Sequence, residues 1–134
     1  MLQSQTVAIN EIPELAKSIA RQLRGGEILA LVGDLGSGKT TFTKALGKQL
    51  KIKNHITSPT FMVMNLFKAK AGNKPVFFYH LDLYRTKNFK EVKALGITEI
   101  WGDPRTITVI EWADKIKRHL PKKTVLIKFK NEPK

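Results

Sequence analysis

The sequence predicts an α/β fold in which a mixed, mostly parallel β-sheet is flanked by helices. Residues 27–33, "EILALVG", form an apolar run without alternation, which is typical of a strand buried on both faces of a parallel sheet. A second such strand is predicted at 107–112, "ITVIEW". Two further strand-like runs, at 57–67 and 74–85, flank a glycine–asparagine turn at 72–73 and predict an antiparallel hairpin.

The N-terminal part of the chain predicts a strand and then a helix. The run at 6–9 alternates weakly and predicts a short edge strand. Asn10 is the expected N-cap of an amphipathic helix, and Gly25 and Gly26 are its expected stop. The apolar residues on one face of this helix are Ile12, Leu15, Ile19 and Leu23.

The C-terminal part is expected to alternate short helices with strands. A helix is predicted at 88–97, opened by Asn88 and closed near Gly96. Residues 113–120, "ADKIKRHL", predict a short basic helix that ends before a proline. A last, half-exposed strand is predicted at 124–130.

Length and composition predict one cytoplasmic domain that covers residues 1–134. A chain of 134 residues can bury one sizeable core but is too short for two ordinary domains. No apolar run approaches the roughly 20 residues needed to cross a bilayer, so no membrane contact is expected. The absence of cysteine suits a reducing compartment.

The charge balance favours polyanionic partners. The chain has 24 Lys and Arg against 11 Asp and Glu, a formal net charge of +13. RNA, DNA or an acidic protein could respond to this charge. The basic residues are spread along the chain, so a solvated lysine-rich surface is the alternative interpretation.

The stretch "GDLGSGKT" at 33–40 fits the phosphate-binding pattern G-x-x-x-x-G-K-[ST]. Glycines allow the loop backbone to wrap a phosphate, Lys39 can reach the β and γ phosphates, and Thr40 can offer its hydroxyl to Mg²⁺. A helix follows directly, as the motif requires. The predicted nucleotide-binding residues of this loop are Gly33, Asp34, Leu35, Gly36, Ser37, Gly38, Lys39, Thr40 and Thr41.

A phosphate loop also needs an acid at the end of a neighbouring strand to hold Mg²⁺ or its water. Asp82 ends "VFFYHLD" and Glu111 ends "ITVIE", and both carboxylates are expected at the same edge of the sheet as the loop. Spacing alone leaves the choice between them open. A surface salt bridge is the alternative for either acid.

Other residues with chemical potential are given structural interpretations. His80 shares a strand face with Asp82 but has no triad partner, which favours a packing or hydrogen-bonding role. Trp101 and Trp112 could stack on a base but are more typical of core or partner contacts. Arg85 could contact phosphate or lie at the surface.

The motifs together resemble one family, TsaE or YjeE, the small P-loop ATPases of bacterial tRNA threonylcarbamoyladenosine biosynthesis. The matching segments are "GDLGSGKTTF" at 33–42, "TSPTF" at 57–61, "HLDLYR" at 80–85, "LGI" at 95–97 and "VIEW" at 109–112. The resemblance implies a P-loop NTPase-like domain, ATP as ligand, and a role beside the enzymes that modify adenosine 37 of tRNA.

The resemblance also implies roles for individual residues. The magnesium ligands of the family fall on Thr40 and Glu111, and Asp82 is implied to lie near the γ phosphate. Thr60, in "TSPTF", occupies a switch-like segment whose hydroxyl could read the γ phosphate. An adenine contact is implied around Ile9 to Glu11. Lys39, Asp82 and Thr60 are thus the expected catalytic residues.

Three functions remain as hypotheses. The first is an ATPase that resets the TsaB–TsaD complex during tRNA modification, with a weak, salt-sensitive tRNA contact of its own. The second is a small-molecule, nucleoside-type kinase, although the sequence has no arginine-rich lid segment and little room for an acceptor pocket. The third is a basic RNA-binding module that retains the phosphate loop.

Overall fold

The computed structural model describes residues 2–34, 36–54, 56 and 64–130, and these residues form a six-stranded sheet with helices on both faces. The strands are β1 (Gln5–Ala8), β2 (Ile28–Val32), β3 (Met64–Ala71), β4 (Lys74–Asp82), β5 (Thr106–Glu111) and β6 (Val125–Lys130). The helices are α1 (Ile12–Gln22), α2 (Lys39–Gln49) and α3 (Phe89–Lys93), with 3₁₀ segments at Ile9–Glu11, Ile97–Glu99 and Ala113–His119.

The strands run across the sheet in the order β1-β6-β2-β5-β4-β3. Among the strand pairs of the described residues, only β3–β4 is antiparallel; β1–β6, β6–β2, β2–β5 and β5–β4 are parallel. The prediction of a mixed, mostly parallel α/β sheet flanked by helices is therefore confirmed. Three neighbouring parallel strands, β2, β5 and β4, end at the same edge, and this edge carries the candidate site.

The sheet separates two apolar cores, because successive side chains of a strand point to opposite faces. In β2, Leu29 and Leu31 face the core beneath α1 and α2, whereas Ile28 and Ala30 face the core beneath α3 and the 3₁₀ segments. The central strand β5 is buried along its whole length. This double burial explains why its sequence shows no alternation.

Helix α1 buries the predicted apolar face, but it begins later than expected. Ile12, Leu15, Ile19 and the following Leu23 are all buried. Asn10 is not the N-cap, since the residues at Ile9–Glu11 form a 3₁₀ segment and α1 begins at Ile12. The Glu11 carboxylate accepts a hydrogen bond from the Ala8 backbone N–H at 2.9 Å and so supports this turn.

The hairpin is confirmed with different bounds, because its first strand continues to Ala71 rather than ending at residue 67. The turn lies at 72–73, and the first strand begins at Met64 among the described residues. The second strand ends at Asp82 rather than at Arg85. The Asp82 carboxylate accepts from the Tyr84 N–H at 3.1 Å, and this local turn leads the chain away from the sheet.

The basic helix predicted at 113–120 is instead a kinked 3₁₀ segment. Its non-helical backbone lies at Ile116, which is buried together with Ala113. Two buried residues three positions apart match the 3.0-residue period of a 3₁₀ helix.

At the other predicted short helix, Asn88 does cap α3, because its side chain accepts from the Glu91 N–H.

Within the part of the chain that the structure describes, no helix has both the length and the apolar character needed to cross a bilayer.

Candidate functional site

The glycine-rich loop joins the end of β2 to the start of α2, at the carboxyl edge of the parallel strands. Gly38 caps α2 with φ of 106°, a left-handed conformation that favours glycine. A Cβ atom at Gly38 would lie 2.5 Å from Ile12 Cδ1, so α1 packs directly against the loop. The loop therefore needs glycine here for both its backbone angle and its contact with α1.

Lys39 is buried and folds back over its own loop. Its Nζ donates hydrogen bonds to the carbonyl oxygens of Gly33 at 2.6 Å and Asp34 at 2.8 Å. The Trp112 ring covers the ammonium group, with its centroid 4.0 Å from Nζ, a cation–π contact. Burial lowers the pKa of Lys39, while the nearby carboxylate of Glu111 opposes this shift. A cation is thus held at the mouth of the loop.

Glu111 is buried at the end of β5 and has two hydrogen-bond partners. Its Oε1 accepts from the Thr40 hydroxyl at 2.8 Å, which joins residues 71 positions apart in the sequence. Its Oε2 lies 2.6 Å from His80 Nε2. A buried carboxylate requires such partners, because an unpaired charge in the interior is costly.

Asp82 lies beside Glu111, since β4 and β5 pair in parallel with these two residues in register. Burial raises the pKa of Asp82, and the neighbouring Glu111 charge adds to this shift, whereas the Tyr84 N–H opposes it. Two carboxylates and the Lys39 ammonium therefore converge at one edge of the sheet. The expectation that both acids lie near the loop is met.

These residues border a cavity of about 270 Å³. Its lining is formed by Ile9, Gly36, Gly38, Lys39, Thr40, Thr41, Asp82, Tyr84, Glu111 and Trp112. Ile9 comes from the segment for which an adenine contact is expected. The Glu11 carboxylate instead accepts a hydrogen bond from the Ala8 N–H. The adenine contact expected for Glu11 stays a prediction. Two other predicted site residues, Leu35 and Thr60, lie outside the described residues.

The atoms at this edge fit a magnesium-bound phosphate group. Mg²⁺ takes oxygen ligands and is usually held by one or two carboxylates together with substrate phosphates and water. The Thr40 hydroxyl and the Glu111 carboxylate supply two such oxygens within 2.8 Å of each other. Among the described residues, no three His, Asp or Glu side chains form a metal cluster, so Mg²⁺ here would depend on the phosphates and water as well.

Two residues of the site, His80 and Trp112, were not assigned to it from sequence. The hydrogen-bonding role favoured for His80 is confirmed, and its partner is Glu111. Trp112 has φ of 60°, and this left-handed turn after β5 accompanies the placement of its ring over Lys39. In the sequence, Trp112 directly follows Glu111 at the end of a predicted strand, and this position could have indicated that Trp112 lies at the site. Trp101 and Arg85 are absent from the cavity lining.

A phosphate-loop motif between a buried parallel strand and the helix after it, with a carboxylate at the end of the adjacent strand, defines a P-loop NTPase-like α/β domain. A family model described as "Threonylcarbamoyl adenosine biosynthesis protein TsaE" matches residues 6–134. The chain belongs to the TsaE family.

Individual relatives agree with this assignment. The tRNA threonylcarbamoyladenosine biosynthesis protein TsaE of Rickettsia bellii is 37% identical and covers 97% of this chain, which spans 88% of that protein. The TsaE of Bacillus subtilis is 36% identical over 96% of this chain and 77% of its own length. The crystal structure of YdiB from Bacillus subtilis superposes with a TM-score of 0.66 and 30% identity, covering 96% of this chain and 77% of that chain.

The His80–Glu111 hydrogen bond predicts a difference between two substitutions of His80. His80→Phe leaves Glu111 Oε2 buried without a donor, so the free energy of unfolding should fall by about 1–3 kcal/mol. His80→Gln retains an N–H donor and should lose less than half as much. Urea unfolding of both variants is the measurement. Equal losses would show that His80 acts through packing rather than through this hydrogen bond.

Proposed function

We propose that this chain is a magnesium-dependent ATPase that serves tRNA threonylcarbamoyladenosine formation in the cytoplasm, as an accessory subunit of a TsaB–TsaD complex. The single observation that carries the proposal is the Thr40–Glu111 hydrogen bond beside Lys39, found in a chain of the TsaE family. It brings a hydroxyl, a carboxylate and an ammonium group together at one loop. Phosphoryl transfer depends on positioned charges of this kind.

Each group has a defined task in this proposal. Lys39 exchanges its hydrogen bonds to Gly33 O and Asp34 O for the phosphate oxygens of ATP, so the cation is already in place before binding. Thr40 and Glu111 hold Mg²⁺, which neutralises charge on the phosphates when bound. The N-terminus of α2 adds the positive end of its dipole.

Asp82 and Thr60 are proposed to act at the γ phosphate. Asp82 borders the cavity next to Glu111, where its carboxylate would contact a water molecule beside the γ phosphate. Thr60 would report whether the γ phosphate is present. This response of Thr60 would make the shape of the chain depend on the nucleotide, whereas Asp82 would act on the hydrolytic step.

The proposed consequence is a nucleotide-controlled interaction with TsaB–TsaD. ATP can drive assembly only as far as the complex binds the ATP form more tightly than the ADP form. Hydrolysis would then release the chain and reset the complex. The family assignment supports this proposal, and the charged edge supplies the site at which the nucleotide would act.

The proposed function can be tested by calorimetry and pull-down. Calorimetry should show ATP binding that strengthens when Mg²⁺ is added. Immobilised TsaB–TsaD should recover more of the chain in ATP than in ADP. Absence of nucleotide binding would overturn the ATPase proposal, and equal recovery in the two nucleotides would overturn the reset proposal and favour the kinase hypothesis.

The role of Glu111 gives a second prediction. Glu111→Gln removes the charge that would hold Mg²⁺ but keeps a side chain of the same size. Affinity for Mg-ATP should fall about tenfold or more, because a charged hydrogen bond or ligand is lost, whereas affinity for metal-free ATP should change little. Calorimetry with and without Mg²⁺ measures both, and Glu14→Gln on the exposed face of α1 is the matched control. Equal weakening of the two forms would transfer the metal role to Asp82.

A further inference from the structure

One long stretch of the sequence carries positive charges and no negative ones. Between Asp34 and Asp82 there are eight lysines, no arginine, and no aspartate or glutamate. The remainder of the chain mixes both signs. Charge of one sign over so long a stretch is unusual for a surface that needs only solubility, where both signs are normally interspersed.

Six of these lysines line two adjoining grooves, and this surface is here called the lysine face. It consists of Lys44 and Lys48 on α2, Lys51 and Lys53 directly after α2, and Lys68 and Lys70 on β3. All six are exposed, and none takes part in an ion pair within the described residues. Their charges are therefore available to a partner.

The backbone holds the lysine face in a fixed arrangement. The Lys70 N–H donates to Leu50 O at 2.8 Å, which ties the end of α2 to the edge strand β3. Lys51 adopts φ of 63°, and its N–H donates to Lys48 O in this turn. The lysines thus project from a folded junction rather than from a flexible tail.

Two grooves lie on the lysine face and meet at Asn54. One groove, of about 390 Å³, is lined by Lys51, Lys53, Asn54, Lys68, Ala69, Lys70 and Pro75. The other, of about 210 Å³, is lined by Lys44, Lys48, Ile52, Asn54 and Ile56. Among the described residues, neither lining contains an acidic side chain. A negatively charged polymer could pass along one groove and continue into the other.

Exposed apolar side chains lie directly beside these lysines. Phe77 on β4 is 43% exposed and is the cross-strand partner of Lys68. Leu66, two positions before Lys68 on the same face of β3, is 53% exposed. An aromatic ring next to ammonium groups suits a polymer that alternates phosphates with flat bases, whereas an acidic peptide would need only the charges.

We propose that the lysine face binds the RNA backbone, with an unpaired base stacking on Phe77. This goes beyond the proposed function, because the surface is separate from the phosphate loop. Helix α2 begins at Lys39 in that loop and ends at Gln49, about 15 Å away along the helix axis, and four of the six lysines, Lys51, Lys53, Lys68 and Lys70, lie at or beyond this far end. RNA and nucleotide can therefore occupy the chain at the same time.

The test compares two variants that lose the same charge. In the face variant, Lys51, Lys53, Lys68 and Lys70 are replaced by glutamine. In the control variant, the exposed residues Lys87, Lys90, Lys93 and Lys117 are replaced by glutamine. The probe is an unmodified tRNA transcript, and binding is followed by fluorescence anisotropy between 50 and 200 mM salt.

Wild-type affinity should fall steeply as salt rises, because counterion release drives such contacts. The face variant should bind at least tenfold more weakly at low salt, and its log–log salt slope should be smaller by about 3, the value expected when four phosphate contacts are lost. The control variant should keep the slope and stay within about threefold. Phe77→Ala should lose about fivefold or more without a change of slope.

Several results would overturn the proposal. Equal losses in the face and control variants would show that tRNA responds to net charge alone. A face variant that binds tRNA normally but no longer binds TsaB–TsaD would assign this surface to a protein partner. Mg-ATP affinity, measured in the same variants, should stay unchanged, so failure here is distinguishable from failure of the proposed ATPase function.

Discussion

Replacing Lys39 by alanine is expected to weaken ATP binding by about ten- to hundredfold. The loop backbone offers only neutral N–H donors, whereas Lys39 supplies a positive charge that is already oriented by Gly33 O and Asp34 O. A charge-assisted hydrogen bond of this kind contributes about 1.5–3 kcal/mol. The large effect follows because burial of Lys39 leaves little water to replace the lost charge.

Calorimetry with ATP measures this loss, and Lys48→Ala is the matched control, since Lys48 lies exposed on the same helix. Lys39→Ala also removes the donor to two loop carbonyls, so urea unfolding should accompany the binding measurement. A folded Lys39→Ala variant with unchanged ATP affinity would contradict the assigned role of the loop.

The fold was predictable where a local pattern coincides with burial. The strand, glycine loop and helix around 28–49 each have their own sequence signature. Because β2 and β5 are parallel neighbours, Glu111 at the end of β5 lies at the same edge of the sheet as the loop, and this position was predictable from the two strands. The choice between Glu111 and Asp82 was not predictable from spacing, because both end buried strands that are paired in register. Their different hydrogen bonds appear only in three dimensions.

The parts that sequence reasoning missed depend on distant contacts or on local backbone geometry. His80 and Glu111 are 31 positions apart, and their contact follows from the pairing of β4 with β5. The lysine face likewise brings the lysines after α2 close to those of the edge strand β3. A count of charges along the sequence does not show this proximity, and it therefore indicated that the basic residues are spread along the chain. Asn10 was misassigned because a good capping residue can also sit inside a 3₁₀ turn.

The isolated chain is expected to hydrolyse ATP slowly, and TsaB–TsaD is expected to accelerate it. No arginine belongs to the described residues that line the cavity. Arg85 is exposed. Arg105 donates side-chain hydrogen bonds to Asp103, and these lower the pKa of Asp103 to about 2. An arginine supplied to a P-loop site can be worth about 10³–10⁵ in rate, so a partner has room for a large effect.

The measurement is steady-state ATP hydrolysis by the chain alone and with purified TsaB and TsaD together. We expect stimulation of at least about tenfold, and of up to about 10³-fold if the partner supplies an arginine. Asp82→Asn provides a second test. It should still assemble with TsaB–TsaD in ATP but should lose most of the stimulated rate, because Asp82 is proposed to act on the hydrolytic step rather than on binding.

The matched control is Asp114→Asn, an exposed carboxylate outside the cavity lining. It should assemble and hydrolyse ATP like the wild type, which separates the position of Asp82 from a general loss of negative charge near Lys39. Equal hydrolysis with and without TsaB–TsaD would remove the proposed stimulation. Loss of assembly in Asp82→Asn would instead make this carboxylate a contact for the partner, because a residue needed only for hydrolysis cannot weaken binding in the ATP state.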